Sequence, residues 1–503
     1  MFVNKAWRMT TYARTSLVLA LSAAAVAASL TVARAAAPVG GLDWVSCGPE
    51  GLGQECATLS VPQDYADPGG PTLSLAVSRI RSQEPAARRG TLMVIPGGPG
   101  SSGVKRLSQK GAALREQLGG TYDLVAFDPR GVGGSSTASC GLDEGDRWLV
   151  TLRGWPAADG GIEENVARAR RTAEACARNG GDRLRSFTTE NQARDLDRLR
   201  QALGEERISA WGVSYGTYVG AVYAQKYPHR TDRLVLDSSS DPDPKRVERG
   251  WLEYMAEGAE DRFPDFAAWA VHPDRDRPDQ RLRLAERAEE VRPLVLDLAA
   301  RLDREPLEST TPGVPLTGNV FRQALQNALY GDAAFPALAR LVLDASARDP
   351  QVKPVIPPGL DSALTDQDAA LTVGVICNDV KWPGSVPAYR RAVAADRVRH
   401  PLTAGMPANI TPCSFWKAPA EKPVRITDRG PSNILMVQGL RDPATPHAAG
   451  LRMRAALGDR ARLVSVDHGG HGMYLGNGNA CGDRAVTDFL RTGERPAADV
   501  TCR

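Results

Sequence analysis

Short apolar runs separated by turn-forming residues dominate the first half of the chain. The segments CATLSVPQDY and PTLSLAVSRIRS are separated by the turn signal ADPGG, and this pattern predicts two early β-strands. In GTLMVIPGGPGSSG an apolar run leads into a glycine-rich loop, and YDLVAFDPRGVGGSS repeats the same form. RLVLDSSSDP is a further predicted strand. Runs that are apolar at nearly every position are typical of strands buried on both faces of a parallel sheet.

Helical patterns alternate with these strands and then replace them. NQARDLDRLRQALG is a predicted helix, whereas residues 241–428 contain mostly helical patterns such as RGWLEYMAEGAEDRFPDFAAWA. Strand and helix alternation resumes in SNILMVQGLRDPATP, AAGLRMRAALG, ARLVSVDHGGHG and AVTDFLR. We therefore predict an α/β core with a mostly parallel sheet, formed by residues 36–240 and 429–503 and interrupted by a helical cap insertion at 241–428.

The N-terminal 35 residues have the pattern of a secretory signal peptide. Lys5, Arg8 and Arg14 form a basic leader, SLVLALSAAAVAASL is an apolar stretch, and a small-residue cleavage site ends at Ala35. An uncleaved membrane anchor is the alternative, but the stretch is short and alanine-rich for a span. The first cysteine, Cys47, is too far on to accept a lipid. The sequence predicts a secreted, extracellular protein with no stable membrane association after cleavage.

Composition and charge narrow the class of protein. The chain has 503 residues, 42% hydrophobic and 24% charged, which is ordinary for globular proteins and argues against long disorder. Its net charge is only +3, from 62 basic and 59 acidic residues. This balance gives no reason to expect a nucleic-acid partner.

Eight cysteines fit an exported protein that contains disulfides. Their number is even, they include no Cys-x-x-Cys spacing, and no histidine stands at zinc-finger distance. Disulfides are therefore favoured over metal binding. Pairing of sequential neighbours would close the shortest loops and is the expected connectivity: Cys47 with Cys56, Cys140 with Cys176, Cys377 with Cys413, and Cys481 with Cys502.

A candidate nucleophile lies between a predicted strand and a predicted helix. Residues 212–216 read Gly-Val-Ser-Tyr-Gly, the G-x-S-x-G pattern of a sharp strand-to-helix turn that exposes a serine hydroxyl. An ordinary strand-to-helix turn is the alternative interpretation. Because a serine hydroxyl is a weak nucleophile, Ser214 would need an imidazole base, an acid that orients the base, and donors for an oxyanion.

The base and the acid are sought among residues near the C-terminus. VSVDHGGHGMY offers His468, which adjoins the strand, and His471, which lies between glycines in a loop that could reach the sheet edge. We prefer His471. Asp442 follows the preceding apolar strand in ILMVQGLRDPATP, although Asp-Pro also forms simple turns. Asp467 is a weaker rival. The order Ser214, Asp442, His471 matches the order of the triad in α/β-hydrolases.

An oxyanion hole is expected from two backbone N–H groups. One belongs to Tyr215, which follows the nucleophile, and the other to Gly98 in the loop PGGPGSSG after an early strand. A Walker phosphate loop is excluded because Val104 separates Gly103 from Lys105, and a dinucleotide fingerprint fails on spacing. A plain turn remains the alternative.

The motifs PGGPGSSG, FDPRGVGGSS, GVSYGTY, GLRDPATP and GGHG occur in this order. Together they resemble the secreted tripeptidyl aminopeptidases and their relatives, the prolyl aminopeptidases of the α/β-hydrolase fold, from about Cys47 to the C-terminus. The resemblance implies Ser214 as nucleophile, Asp442 as orienting acid and His471 as base. Prolyl aminopeptidases usually carry His where this chain has Pro96, which argues against strict proline release and favours the tripeptidyl branch.

The resemblance implies a peptide substrate with a free N-terminus and an acyl-enzyme mechanism, with no metal or organic cofactor. Recognition of the free amine would need a carboxylate, and a cap aromatic could line the pocket. Solvated surface charge and packing are the simpler interpretations of each candidate: Glu253, Glu257, Glu260, Asp261 and Asp379, with Trp251, Trp269 and Trp382. A secreted carboxylic-ester hydrolase is the alternative enzyme, and a non-catalytic binding protein of this fold is the alternative outside enzymes.

Overall fold

One mixed sheet runs through the computed structural model of the protein, which describes residues 41–278, 281–347, 349 and 351–503. The predicted leader, residues 1–35, lies outside the described residues. The strands of the sheet, in chain order, are β1 (Val45–Ser46), β2 (Gln54–Pro62), β3 (Thr72–Ile80), β4 (Thr91–Ile95), β5 (Asp123–Phe127), β6 (Ile208–Val213), β7 (Thr231–Asp237), β8 (Ile434–Arg441), β9 (Ala461–Gly469) and β10 (Val500–Cys502).

The strand order confirms the predicted mostly parallel sheet. It is β1-β2-β3-β5-β4-β6-β7-β8-β9-β10. From β5 to β10 in this order, each pair of adjacent strands is parallel, whereas β1, β2 and β3 pair antiparallel with one another and β3 pairs antiparallel with β5. The carboxyl ends of the parallel strands therefore meet at one edge of the sheet, where open α/β sheets bind their ligands.

Helices fill the connections between these strands. The α-helices of the described residues are α1 (Gly103–Gln117), α2 (Leu149–Leu152), α3 (Glu163–Asn179), α4 (Gly181–Arg185), α5 (Thr189–Ala202), α6 (Tyr215–Lys226), α7 (Arg249–Val271), α8 (Ala288–Arg304), α9 (Gly318–Ala328), α10 (Phe335–Ser346), α11 (Asp366–Asn378), α12 (Val386–Arg399), α13 (His447–Leu457) and α14 (Ala480–Thr492).

Strand β4 shows why the central strands are apolar at every position. Its successive residues point to opposite faces of the sheet. Leu92 and Val94 belong to the apolar cluster that includes Leu107 of α1, whereas Met93 belongs to the cluster that includes Val219 of α6. Both faces of the sheet are covered by helices, as the sequence pattern predicts.

The connection from β7 to β8, residues 238–433, carries helices α7–α12, and we call it the cap segment. Its described residues contribute no strand to the sheet; they include only the isolated bridge between Leu307 and Leu316. A second apolar core forms within the cap segment, around residues such as Phe266, Phe321 and Phe335. The division at residues 241 and 428 stays a prediction.

Four disulfides join sequential neighbours: Cys47–Cys56, Cys140–Cys176, Cys377–Cys413 and Cys481–Cys502. The first bond ties the chain just after the short strand β1 to β2, and the last bond ties the short strand β10 to helix α14. Along the described ranges, no helix has both the length and the apolar character needed to cross a bilayer.

Candidate active site

Ser214 lies at the turn between β6 and α6, at the carboxyl edge of the sheet. Its φ of 59° and ψ of −128° are unusual for a residue with a side chain. Such strained backbone needs support from its surroundings and is common at functional sites. The Ser214 N–H donates to the carbonyl oxygen of Asp237 at 2.9 Å, which fixes the turn to the end of β7. The predicted strand–turn–helix context of the G-x-S-x-G motif is therefore present.

Close backbone contacts explain the two glycines of the motif. A Cβ on Gly212 would lie 2.4 Å from the carbonyl oxygen of Gly216, and a Cβ on Gly216 would lie 2.6 Å from the carbonyl oxygen of Ile95. Neither position has room for a side chain. The tight turn thus depends on both glycines.

His471 and Asp442 meet at the same edge of the sheet. The Nδ1 atom of His471 lies 3.0 Å from each carboxylate oxygen of Asp442. Asp442 is fully buried and also accepts hydrogen bonds from the N–H groups of Ala444 and Thr445, each at 2.9 Å. The hydroxyl of Thr445 donates to its other oxygen at 3.0 Å. These donors hold the carboxylate in one orientation toward the imidazole.

The rival residues lie elsewhere. His468 contacts the carbonyl oxygen of Gly469, and Asp467 is exposed and pairs with Arg441 at 2.7 Å. Of the two histidines, the structure therefore brings His471 to Asp442.

Two groups from other parts of the fold position the His471 loop. From the end of β7, Ser238 accepts a hydrogen bond from the Gly472 N–H at 2.9 Å. From the cap segment, the carbonyl oxygen of Tyr330 accepts one from the His471 N–H at 2.8 Å, and the two rings meet edge to face with centroids 5.2 Å apart. The sequence motifs did not identify these contacts. A polar Asp-Ser pair directly after an apolar strand was the available signal for the first.

Asp237 completes this support and is fully buried. Its two carboxylate oxygens accept from the N–H groups of Met473, at 2.7 Å, and Tyr474, at 3.0 Å. Burial raises the pKa of Asp237, and these backbone donors oppose the rise.

The pKa of His471 reflects two opposing influences. Burial by itself lowers the pKa of the imidazole, but the charge of Asp442 and its hydrogen bond outweigh burial. The net shift is upward from the ordinary value. Asp442 thus stabilises the imidazolium that a general base becomes when it accepts a proton.

The glycine-rich loop after β4 passes close to the Ser214 side chain. A Cβ on Gly97 would lie 3.0 Å from the Cβ of Ser214. Gly98, with a φ of 113°, lines the same cavity as Ser214. Asp128 fixes the far end of the loop, because it accepts hydrogen bonds from the Ser102 hydroxyl at 2.6 Å and the Val104 N–H at 3.1 Å. The N–H groups of Gly98 and Tyr215 stay the predicted oxyanion donors.

A cavity of about 560 Å³ connects these groups. The part of the chain outside the cap segment lines this cavity with Ser214, His471, Tyr215 and Gly98. The cap segment contributes Trp251. The Trp251 ring contacts the rings of Tyr215 and Tyr218 edge to face. The cavity is large enough for a short peptide segment.

Most of the other cap residues considered from the sequence have different roles. Trp269 packs on Phe266 in the second core, and Trp382 is buried in the main core. Glu253 pairs with Arg246 and Arg249, and Glu260 pairs with Arg292. Glu257 is exposed on α7, and the structure gives Asp261 no contact that bears on the site.

Among the described residues, no group of three or more His, Cys, Asp or Glu side chains is arranged to hold a metal ion.

Comparison with known proteins gives the family. The chain is 32% identical over 496 residues to a tripeptidyl aminopeptidase of Streptomyces lividans, and the alignment covers 94% of this chain and 88% of that protein. The chain belongs to the tripeptidyl aminopeptidase family. The profile of a family described as "TAP-like protein" also matches residues 401–502, which include Asp442 and His471.

Two further proteins to which the chain is similar have other names. Serine protease Hip1 of Mycobacterium tuberculosis is 28% identical, with 90% of this chain and 87% of that protein covered. A protein of the same species named carboxylesterase B is 32% identical, with 89% and 86% covered. This family member is a serine hydrolase of the α/β-hydrolase fold, as the sequence predicts.

Proposed function

We propose that the protein is a secreted serine exopeptidase that releases short peptides, with tripeptides as the predicted product, from the free N-terminus of peptide substrates. The observation that carries the proposal is the placement of Ser214 at a strained turn and of the Asp442-bound His471 in one cavity. The tripeptidyl aminopeptidase of Streptomyces lividans supports the choice of substrate.

The proposed reaction is acyl transfer. The Nε2 atom of His471 accepts the proton of the Ser214 hydroxyl as the oxygen attacks the scissile carbonyl. The N–H groups of Tyr215 and Gly98 stabilise the oxyanion, and the imidazolium then gives its proton to the leaving amine. Water attacks the acyl-enzyme by the same route, which releases the N-terminal peptide and restores Ser214. Asp442 keeps its charge throughout and fixes the orientation of His471.

Secretion forms part of the proposal. Disulfides persist in oxidising compartments outside the cytosol, and the four bonds of the structure agree with such a location. N-terminal sequencing of protein recovered from culture medium should give a chain that begins near Ala36. Retention of the intact leader on a membrane fraction would contradict this.

A matched panel of chromogenic substrates tests the activity. It contains free-amine aminoacyl, dipeptidyl and tripeptidyl anilides, the N-acetyl form of each, and a short-chain ester. We expect release from the free-amine tripeptidyl anilide, little from its acetylated form, and none by the Ser214→Ala variant. Circular dichroism should show that this variant keeps the fold. Full activity of Ser214→Ala would refute the assignment of the nucleophile.

A carboxylic-ester hydrolase is the second candidate, favoured by the 32% identity to the protein named carboxylesterase B. The same triad chemistry serves esters and amides, so hydrolysis of the ester alone would select this candidate. Labelling by a fluorophosphonate probe separates both enzymes from a non-catalytic binding protein, which should not react.

A further inference from the structure

Arg106 lines the catalytic cavity from the beginning of helix α1. Its guanidinium lies over the ring of Trp211, 4.9 Å from the ring centroid. The Nε atom of Arg106 is buried and has no hydrogen-bond partner among the described residues, and no ion pair of that part of the chain includes this side chain. The face of an indole ring offsets only part of the cost of removing a cation from water. An anion from outside the chain would therefore stabilise Arg106 where it lies.

Two further cations line the same cavity. Arg153 directly follows α2, and its buried Nε atom also has no hydrogen-bond partner among the described residues. Lys110 lies one turn after Arg106 on α1. Among the described residues that line the cavity, Glu248 is the one acidic side chain, and its charged neighbour is Asp379 rather than one of these cations. The cavity thus carries an excess of positive charge.

The two arginines act on the His471 side of the cavity. The charge of Arg106 opposes the rise in the pKa of His471. The charge of Arg153 lowers the pKa of Tyr330 against the effect of burial, and the Tyr330 ring contacts the His471 ring. In the proposed mechanism, His471 gives its proton to the leaving amine. The part of the peptide that departs must therefore lie on this side of the cavity.

Nearby groups already occupy Lys110 and the acid closest to Arg106. Lys110 donates to the carbonyl oxygen of Leu475 at 2.6 Å, and its charge also acts on Asp483. The charge of Asp237 reaches Arg106, but both oxygens of that carboxylate accept from backbone N–H groups. The two arginines are therefore the cations of the cavity that are best placed to bind a ligand.

We propose that Arg106, with Arg153 as a second positive charge, binds a carboxylate of the departing part of the peptide substrate. A guanidinium keeps its charge and offers N–H donors in a planar fork, which matches the two oxygens of a carboxylate. Charge pairing is stronger here than in bulk water, because the protein excludes part of the solvent. The carboxylate is either the free C-terminus of a short peptide or the side chain of an acidic residue that follows the scissile bond.

This inference rests on the proposed exopeptidase function and assigns the residue that selects an acidic leaving part. The test uses four free-amine tetrapeptides that share their first three residues and end in Ala with a free carboxylate, Ala amide, Asp amide or Asn amide. Chromatography of the released tripeptide gives kcat/KM for each. The Ala pair tests a C-terminal carboxylate, and the Asp and Asn pair tests a side-chain carboxylate. Lys105→Gln is the matched control, because Lys105 is an exposed cation of the same helix that does not line the cavity.

We expect the wild type to prefer a carboxylate substrate over its neutral counterpart by about 10- to 100-fold in at least one pair, because charged hydrogen bonds form. Arg106→Gln should remove most of this preference, with kcat/KM for the neutral substrates within about threefold of the wild type. Lys105→Gln should match the wild type, and Arg153→Gln should lose a smaller part of the preference. Arg106→Lys keeps the charge but not the fork, so its preference should be intermediate. The assays are run well above the pKa of His471, because loss of a nearby cation should raise that pKa further.

Different results separate the two proposals. A wild type that releases no tripeptide from any of the four substrates overturns the exopeptidase function and this subsite with it. A wild type that releases the tripeptide without favouring either carboxylate overturns the subsite alone. A preference that survives in Arg106→Gln, or an equal loss on charged and neutral substrates, also overturns the subsite. If Arg106→Gln does not fold, Arg106→Lys decides, and a preference unchanged in that variant overturns the assignment of Arg106.

Discussion

The carboxylate of Asp237, at the end of strand β7, accepts a hydrogen bond of 2.7 Å from the backbone N–H of Met473. A strand end from the middle of the sheet thus holds the loop that carries His471, two residues before Met473. The second carboxylate oxygen does the same for Tyr474. The position of the proposed base is therefore set by the sheet as well as by its acid partner.

Replacing Asp237 with Asn should disturb this loop. An amide has one acceptor oxygen, so its NH₂ group would face a backbone donor and leave that donor unpaired. We expect a loss of about 1–3 kcal/mol in the free energy of unfolding. The kcat should also fall, because the His471 loop would move. Urea unfolding and ester kinetics measure the two effects. Unchanged stability and kcat would show that the loop does not depend on this carboxylate.

The pair Asp442→Asn and Asp467→Asn tests which acid orients His471. Loss of the Asp442 charge should lower kcat by a factor on the order of 10⁴, because the imidazole loses its orientation and the partner of its charged form. Asp467→Asn removes only an exposed ion pair with Arg441 and should leave kcat within about twofold. Steady-state kinetics on the ester compare both variants, and the reverse ranking would contradict the assignment.

The pH dependence of hydrolysis should report His471. Its raised pKa means that the ring stays protonated, and unable to accept a proton, to a pH above the ordinary value of 6.5. The kcat/KM for a neutral ester should therefore fall as the pH drops through a midpoint above 6.5. Asp442 is the main cause, while Asp237 also raises the pKa and Arg106 lowers it. A midpoint at or below 6.5 in the wild type would contradict the expectation.

Protonation of His471 lowers activity, but it increases the stability of the fold. Because the folded-state pKa is raised, the protonated pair with Asp442 stabilises the fold fully below the unfolded-state pKa. This contribution is lost as the pH rises through the folded-state pKa. Activity and this part of the stability thus change in opposite directions over the same pH range.

Removing the Cys377–Cys413 disulfide should reduce stability and activity more than removing the Cys47–Cys56 disulfide. Both cysteines line the catalytic cavity, and the bond closes a segment of 36 residues. Cys47–Cys56 closes only 9 residues beside the edge strand β1. Loop-closure entropy predicts that removing the first bond costs about 1 kcal/mol more than removing the second. Thermal unfolding and ester kinetics of the two double Cys→Ser variants check this; equal losses of stability and activity would contradict it.

Long elements and local motifs were predictable from the sequence. RLVLDSSSDP predicts a strand, and β7 ends at Asp237 where the serines begin. Strands β1 and β10 were not identified, because two or three residues show no periodicity. A disulfide ties β1 to the neighbouring strand β2, and another ties β10 to helix α14.

In the candidate site, too, some residues were predictable from the sequence and others were not. Ser214, Asp442 and His471 stand in recognisable motifs at strand ends, so their proximity follows from the topology of the sheet. Tyr330 belongs to the cap segment, and its position depends on how the helices of that segment fold back over the cavity. No local pattern in the sequence encodes that path.

The hydrogen bond from His471 to the carbonyl oxygen of Tyr330 limits how this enzyme could be re-engineered. Exchanging the cap segment is one way to change the range of substrates. In this protein, a replacement cap segment would also have to place a carbonyl oxygen where that of Tyr330 lies, or His471 would lose this hydrogen bond. The cap segment therefore affects both substrate choice and the rate of catalysis. A chimaera without a carbonyl oxygen at the position of Tyr330 should hydrolyse every substrate slowly.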